Sequence, residues 1–457
     1  MDGSSPRKLS RDVAFAQTSR RRSSPARPRE WIALGVVPGL IFAGHLAFGA
    51  SVNVAAASLT VLICLTLAVA LCLPGGRAGL AEIQGLWIAA GLMAAVLGVA
   101  LLTLTDLTPG GAHPIWEWAG VETRASTINR FQTTMEIIKL GGLAAIFLIG
   151  GLQGGRHDWA RNTVKIVLAF GGVYAAFSLL GFLTGQQTLP GPRLSGGFMS
   201  ANSGATVFGI LVVVAIGEAQ RLWGRYGSDR QQALARVAPA AALVILFAVC
   251  LLMTASRAGM TATVAAVAAV VIWSAFASGV RLSPKPLVGG LAFLALCALL
   301  MGGSGDLLWN RLGTVETDTF VRQTILTEHW KAFLASPLFG YGLGSFVDLN
   351  SMIMTPQTYG ALLVGSTHNV YLQWLEEAGI VGSAPMFLLI GWLVVASGWR
   401  AHGARRGGET VRALVCANLV VLLHGITDFA LQEYSIAAMW AFLLGLQFAW
   451  GAYRPRG

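Results

Sequence analysis

The chain is poor in charge. Of 457 residues only 12% are Asp, Glu, Lys or Arg, whereas 55% are hydrophobic. Soluble domains carry about 25% charged residues. A water-facing surface of this size therefore cannot be covered, and a soluble globular enzyme is excluded. Cysteine is scarce as well. Cys64, Cys72, Cys250, Cys297 and Cys416 lie in apolar runs without CxxC spacing, so they read as small core hydrophobes rather than zinc or redox ligands. No GxxxxGK[ST] loop is present, which argues against ATP hydrolysis by the chain itself. No HExxH motif or carboxylate cluster points to a metal, and Glu316 with Asp318 reads as a solvated pair. Gly340, Gly342 and Gly344 are not framed by a strand and a helix. They mark a tight turn or packing site, not a nucleotide fingerprint.

What remains is apolar sequence with 56 Gly and 14 Trp, the composition of a helical membrane protein. Residues 1–30 are rich in Arg, Ser and Pro and are expected to be a disordered basic cytoplasmic tail. The first apolar run starts at Trp31, late for a cleavable signal, and reads as a retained span. Runs near the length needed to cross a bilayer, roughly 20 residues, predict an all-α polytopic protein of about 12 transmembrane helices. They cover 31–50, 52–73, 85–105, 131–152, 162–184, 203–219, 237–255, 258–278, 287–302, 369–398, 413–428 and 434–452. The tenth is too long for one straight crossing and is expected to break at Gly379 and Gly382. The layout is thus a tail at 1–30, nine spans over 31–302, a loop over 303–367, and three spans over 368–457.

With the N-terminus in the cytoplasm and alternating sides, 24 of the 32 Lys and Arg fall on the cytoplasmic face. This positive-inside bias also places the C-terminus there. The net charge of +11 then meets anionic lipid, and nucleic acid is not needed as a partner. The opposite, outer side holds the long loop, with an amphipathic helix expected over 319–335 on or near the outer leaflet. Val321, Ile325, Leu326, Trp330, Phe333 and Leu334 form its apolar face, and Arg322 and His329, seven apart, share one face.

Few basic residues face outward. Arg193, Arg257 and Arg322 are each either a snorkelling interface residue or part of a shared anion site, and guanidinium forks suit phosphate oxygens. His368 follows Ser366 and Thr367, expected N-cap residues, and so falls in the first turn of the tenth span. There it is either a capping or core histidine, or a neutral base able to take a hydroxyl proton. Glu377 lies on the opposite helix face and is expected to bond loop backbone or another span. Glu136 and Lys139 are expected to pair with each other. His45 and His424, with no visible partner, read as structural.

The stretch His368-Asn369-Val-Tyr-Leu372-Gln-Trp-Leu375-Glu-Glu377-Ala-Gly379-Ile-Val-Gly382 resembles the signature of the O-antigen ligase and O-antigen polymerase family. So do Arg322…Trp330…Ser336-Pro337-Leu-Phe-Gly340-Tyr-Gly342, the Ser256-Arg257-Ala-Gly259 bend, the Ser200-Ala-Asn202 segment and Asp428 before the last span. The resemblance covers roughly 190–450. It implies a GT-C-like helical membrane fold and a metal-independent, inverting glycosyl transfer at the periplasmic face of the bacterial inner membrane, without a cofactor. The implied donor is a glycan on undecaprenyl diphosphate. The acceptor is a sugar hydroxyl, on another lipid-linked repeat (polymerase) or on lipid A core (ligase). In that reading Arg193, Arg257 and Arg322 hold the diphosphate, His368 is the base, and Asn369 and Glu377 support it. Polymerisation of exopolysaccharide or O-antigen repeats is the preferred reading and ligation the alternative. A lipid-sugar flippase or secondary transporter is the rival from another class. No internal repeat supports it, and the polar residues crowd the outer boundary instead.

Overall fold

The structure, a computed structural model, describes residues 28–452 apart from 74, 123, 190, 279–314, 363 and 403–407. Most of the basic tail, the expected ninth span at 287–302, Cys297 and the side chains of Glu316 and Asp318 lie outside the described residues. Among the described residues the chain is helical, without strands. The principal helices are α1 (Pro28–Leu46), α2 (Asn53–Cys72), α3 (Leu86–Thr103), α4 (Arg130–Gly154), α5 (His157–Leu183), α6 (Ala201–Tyr226) and α7 (Arg230–Met253). They continue with α8 (Arg257–Ser278), α9 (Val315–Ala335), α10 (Phe346–Ile353), α11 (Val370–His402), α12 (Gly408–His424) and α13 (Tyr434–Ala452). Eight of them, α2 to α8 and α11, are long and apolar enough to cross a membrane, and α1 and α13 are shorter apolar helices. Val54, Val61 and Val69 on α2, and Val173, Phe177 and Leu180 on α5, are exposed. A bilayer accepts such apolar faces where water does not.

The interior is built from α4, α6, α12 and α13. Most of α6 is buried. Gly150 and Gly154 on α4, four apart, let the backbone of α13 approach so closely that a Cβ at either position would overlap a carbonyl of Phe442 or Leu446. This is the small-xxx-small solution to helix packing in lipid, where dispersion rather than water exclusion holds helices together.

Helix α11 is not continuous. Gly379 has φ 62° and ψ −175°, so the α ladder breaks there. Gly382, the second expected break point, stays helical. The groups freed by the break are bonded by residues 337–342, the GYGLG approach. Tyr341 N donates to Glu376 O (3.0 Å), Gly342 N to Glu377 O (2.8 Å), Ile380 N to Pro337 O (2.8 Å) and Val381 N to Leu338 O (3.0 Å). Unbonded backbone is costly away from water, so a broken helix at membrane depth needs such partners.

Helix α9 differs from its expected form. Ile325, His329 and Phe333 are buried, while Leu326, Trp330 and Leu334 are exposed, so the broad apolar face is split in two. The buried side is not purely apolar. His329 Nδ1 pairs with Glu376 Oε2 of α11 at 2.8 Å, and its Nε2 meets Asn350 Oδ1 of α10 at 3.1 Å.

Candidate active site

The N-termini of α6, α8, α11 and α13 and the C-termini of α7 and α12 meet at one end of the bundle. The turn 425–433 between α12 and α13 is their common neighbour. Val370 N donates to Gly425 O (2.9 Å), and Gln432 Nε2 donates to Gln373 Oε1.

His368 does not sit inside the helix as expected. The N-cap is Asn369, whose Oδ1 accepts from Tyr371 N and Leu372 N, both at 3.0 Å. His368 precedes it in the left-handed region, φ 54°. Ser366 and Thr367, expected as caps, instead bond within the turn: Ser366 Oγ accepts from His368 N, and Thr367 Oγ1 accepts from Asn369 N. The result is an imidazole held just ahead of a helix N-terminus, half-buried, with its ring 5.1 Å from Phe429 edge-on. Nδ1 is buried and has no hydrogen-bond partner among the described residues. Burial first, and the Arg322 charge second, hold its pKa below the usual imidazole value, so the ring is neutral at pH 7.

The arginines take different positions. Arg322, exposed on α9, directs Nη1 at Thr427 O (3.5 Å). Arg193 donates through Nε to Thr254 O (2.7 Å) and through Nη2 to Asn202 Oδ1 (2.8 Å). Asn202 in turn donates from Nδ2 to Asp428 Oδ1 (3.1 Å). Arg257, the first residue of α8, is exposed and its guanidinium bonds no described residue. Its helix start is fixed by Ser256 Oγ, which accepts from Gly259 N (3.3 Å), and Gly259 packs against Ala205 and His424. His368 and Arg322 therefore meet the 425–433 turn directly, Arg193 reaches it through Asn202, and the start of Arg257's helix packs against His424 at the end of α12.

Asp428 is the centre that the residue-by-residue reading of the sequence missed. It is fully buried, and its Oδ2 has no hydrogen-bond partner among the described residues. Burial pushes its carboxyl up to about 6, against the pull of Asn202, the Phe429 amide, Arg322 and Arg193. Apart from its place in the family resemblance, its sequence signal is an acid in a short turn beside sparse outward-facing arginines. Its link to Asn202 spans 226 positions. His45 and His424 also have partners that the sequence did not reveal: His45 Nδ1 meets Ser435 Oγ (2.7 Å) and His424 Nδ1 meets Thr206 Oγ1 (2.8 Å). Glu377 accepts from Gly344 N (2.8 Å) and Gln373 Nε2 (3.0 Å), and Glu136 pairs with Lys139. Among the described residues no group of three His, Cys, Asp or Glu side chains converges as a metal site.

Beside this cluster, and sharing Val370 and Phe429 with it, lies a cavity of about 1400 Å³ between α3, α4, α11 and α13. None of the three arginines or His368 lines it.

Fold and sequence together define a multi-pass bacterial membrane protein. Residues 241–387 match the family model described as O-antigen ligase, a stretch that holds Arg257, Arg322, His368 and Glu377 but not Arg193 or Asp428. The match gives this stretch a likeness to the O-antigen ligase family and supports membrane glycosyl transfer in O-antigen or polysaccharide assembly. No curated protein matches the chain.

Proposed function

We propose that the protein transfers a glycan from undecaprenyl diphosphate to a sugar hydroxyl at the periplasmic face of the inner membrane, extending an exopolysaccharide or O-antigen chain. The observation that carries this reading is the meeting of a half-buried, uncharged His368 with Arg322 and the Arg193–Asn202–Asp428 chain at one end of the bundle. His368 takes the acceptor hydroxyl proton. The oxygen attacks the anomeric carbon as its bond to the diphosphate breaks, which inverts that centre, and the lipid diphosphate leaves. Arg257 and Arg322, exposed and with donors to spare, neutralise the charge that grows on the leaving group. Arg193, with two nitrogens committed to protein, braces Asp428 and the start of α6. This division of labour differs from equal diphosphate binding by all three. Ligation to lipid A core is the second reading, favoured by the description of the matching family model.

The test is purified full-length protein in nanodiscs with a defined lipid-linked oligosaccharide, with and without chelator. His368→Ala is expected to cost about 10²- to 10⁴-fold in turnover, the range for a lost general base. Undiminished product from a stably folded variant would falsify the base assignment. In a deletion strain, single repeats accumulating on lipid carrier identify a polymerase, and full-length polymer missing from lipid A core identifies a ligase.

A further inference from the structure

Helix α9 carries Arg322 and His329 on one face, seven positions apart, and only the arginine has a place in the transfer reading. The stitch of 337–342 onto α11 begins past the end of α9 at Ala335. Arg322 stands well back from that end, about 20 Å along the helix at the usual rise per residue. A tilt of about 6° at Ala335 would therefore carry its guanidinium about 2 Å, by the same geometry. His329 lies between the two, and it is tied down on both sides.

The His329 ring is fully buried and stacks on Phe346 of α10, with centroids 4.8 Å apart and planes 22° from parallel. Asn350 Nδ2 donates to Leu362 O (2.6 Å) and to Val364 O (3.4 Å), which turns its Oδ1 toward that ring. An amide oxygen can only accept, so His329 Nε2, at 3.1 Å, carries a hydrogen and donates. The 2.8 Å bond between Nδ1 and Glu376 Oε2 then needs a second proton, on the ring or on the carboxyl. Glu376 is fully buried too, and its main-chain oxygen accepts from Tyr341 N. A buried pair of this kind adds little net stability, because desolvation offsets its attraction. What it supplies is register: a slide of α9 by one residue would leave both groups unpaired away from water.

We infer that His329 and Glu376 are positioning residues: their clasp fixes α9 against α11 and so sets where the Arg322 guanidinium stands relative to His368. The inference rests on the transfer reading for its purpose. Arg322 reaches Thr427 O, and its charge acts on His368, His424 and Asp428, which border or belong to one turn. His368 in turn stands two residues ahead of α11, the helix that carries Glu376. One clasp thus joins the element bearing a proposed diphosphate arginine to the element that follows the proposed base. Charge and base are held at one spacing before substrate arrives, as preorganisation requires. Neither clasp residue touches substrate in this reading.

Carbethoxylation of His368, followed by mass spectrometry across pH on the full chain in nanodiscs, reads the neutral fraction of the imidazole without any turnover. Arg322→Gln is expected to move that titration upward, because one cause of the depressed value is gone. His329→Leu with Glu376→Leu, an apolar pair that leaves no buried charge, releases α9 and lets the exposed guanidinium drift toward water. It is expected to move the titration in the same direction and to lower turnover about 10- to 100-fold, the scale of a misplacement on the order of 1 Å. Arg322→Gln added to the leucine pair should shift the titration less than it does alone. Glu376→Gln keeps the clasp, its amide donating to Nδ1, and should leave the titration in place. Glu376→Asp, one methylene shorter, serves if the leucine pair does not fold, and should give a smaller shift of the same sign. A leucine pair with a native thermal midpoint that leaves the His368 titration where it was overturns the inference, as does an unmoved Glu376→Asp if the pair does not fold. A full, additive shift from Arg322→Gln on top of the pair overturns it too. The transfer reading fails separately, through undiminished product from His368→Ala, and that result leaves the titration shifts standing.

Discussion

At the scale of single residues, two kinds of titrating group meet at the candidate site, and they carry opposite signs. His368 is held below its usual pKa by burial and then by Arg322. With the neutral ring as the proposed base, the transfer is expected to rise with pH through that depressed value and to be flat at neutrality. Arg322→Gln removes the second cause, raises the His368 pKa, and is expected to move the acid limb of the pH–rate profile upward. A limb that stays in place would remove His368 from the proton chemistry. Asp428 and Glu433 are pushed the other way, up to about 6 and about 7, because burial favours their neutral forms. A raised carboxyl contributes stability fully below its unfolded value and loses it as pH rises through the folded one. Thermal midpoints in detergent are therefore expected to fall between pH 5 and pH 8, and Asp428→Asn is expected to flatten part of that slope. His368 was legible in the sequence because histidine is rare and stands in a polar run before an apolar span. Asp428 was named only as part of the family resemblance and given no role, because an acid in a short turn looks the same whether it is solvated or buried, and only folding brings Asn202 to it.

At the scale of elements, the break in α11 was legible from the apolar run 369–398, too long for one crossing, and from the glycines within it, of which Gly379 is the one that breaks. What satisfies the break was not. The bonds from 337–342 pair segments with no shared pattern, and a glycine-rich turn shows only that something packs closely. Gly379→Ala is expected to lower the thermal midpoint sharply. A φ of 62° strains any residue with a Cβ by about 1–3 kcal/mol, and the new Cβ would also overlap the Leu338 carbonyl. Gly391→Ala, on the same helix with open space around it, is the control and should leave the midpoint nearly unchanged. The split face of α9 shows why periodicity misled. The spacing of apolar residues marks a helix with an apolar side, but a buried His329–Glu376 pair on that side has no periodic signature.

At the scale of the whole molecule, the hydropathy runs carried the architecture: the eleven expected spans that fall among the described residues each coincide with a helix. They could not reveal the cavity, which arises from how α3, α4, α11 and α13 splay and not from any one of them. The proposed orientation has its own check. Gln357, exposed in the long loop, replaced by cysteine in an otherwise cysteine-free chain, is expected to react with a membrane-impermeant maleimide from the periplasm. Labelling only after the inner membrane is opened would reverse the topology.

The stitching of 337–342 onto the fractured helix, together with the His329–Glu376 clasp, welds the loop helices to residues 370–378. Residues 370–378, with His368 two positions ahead of them, are therefore expected to shift with that loop as one body and not apart from it.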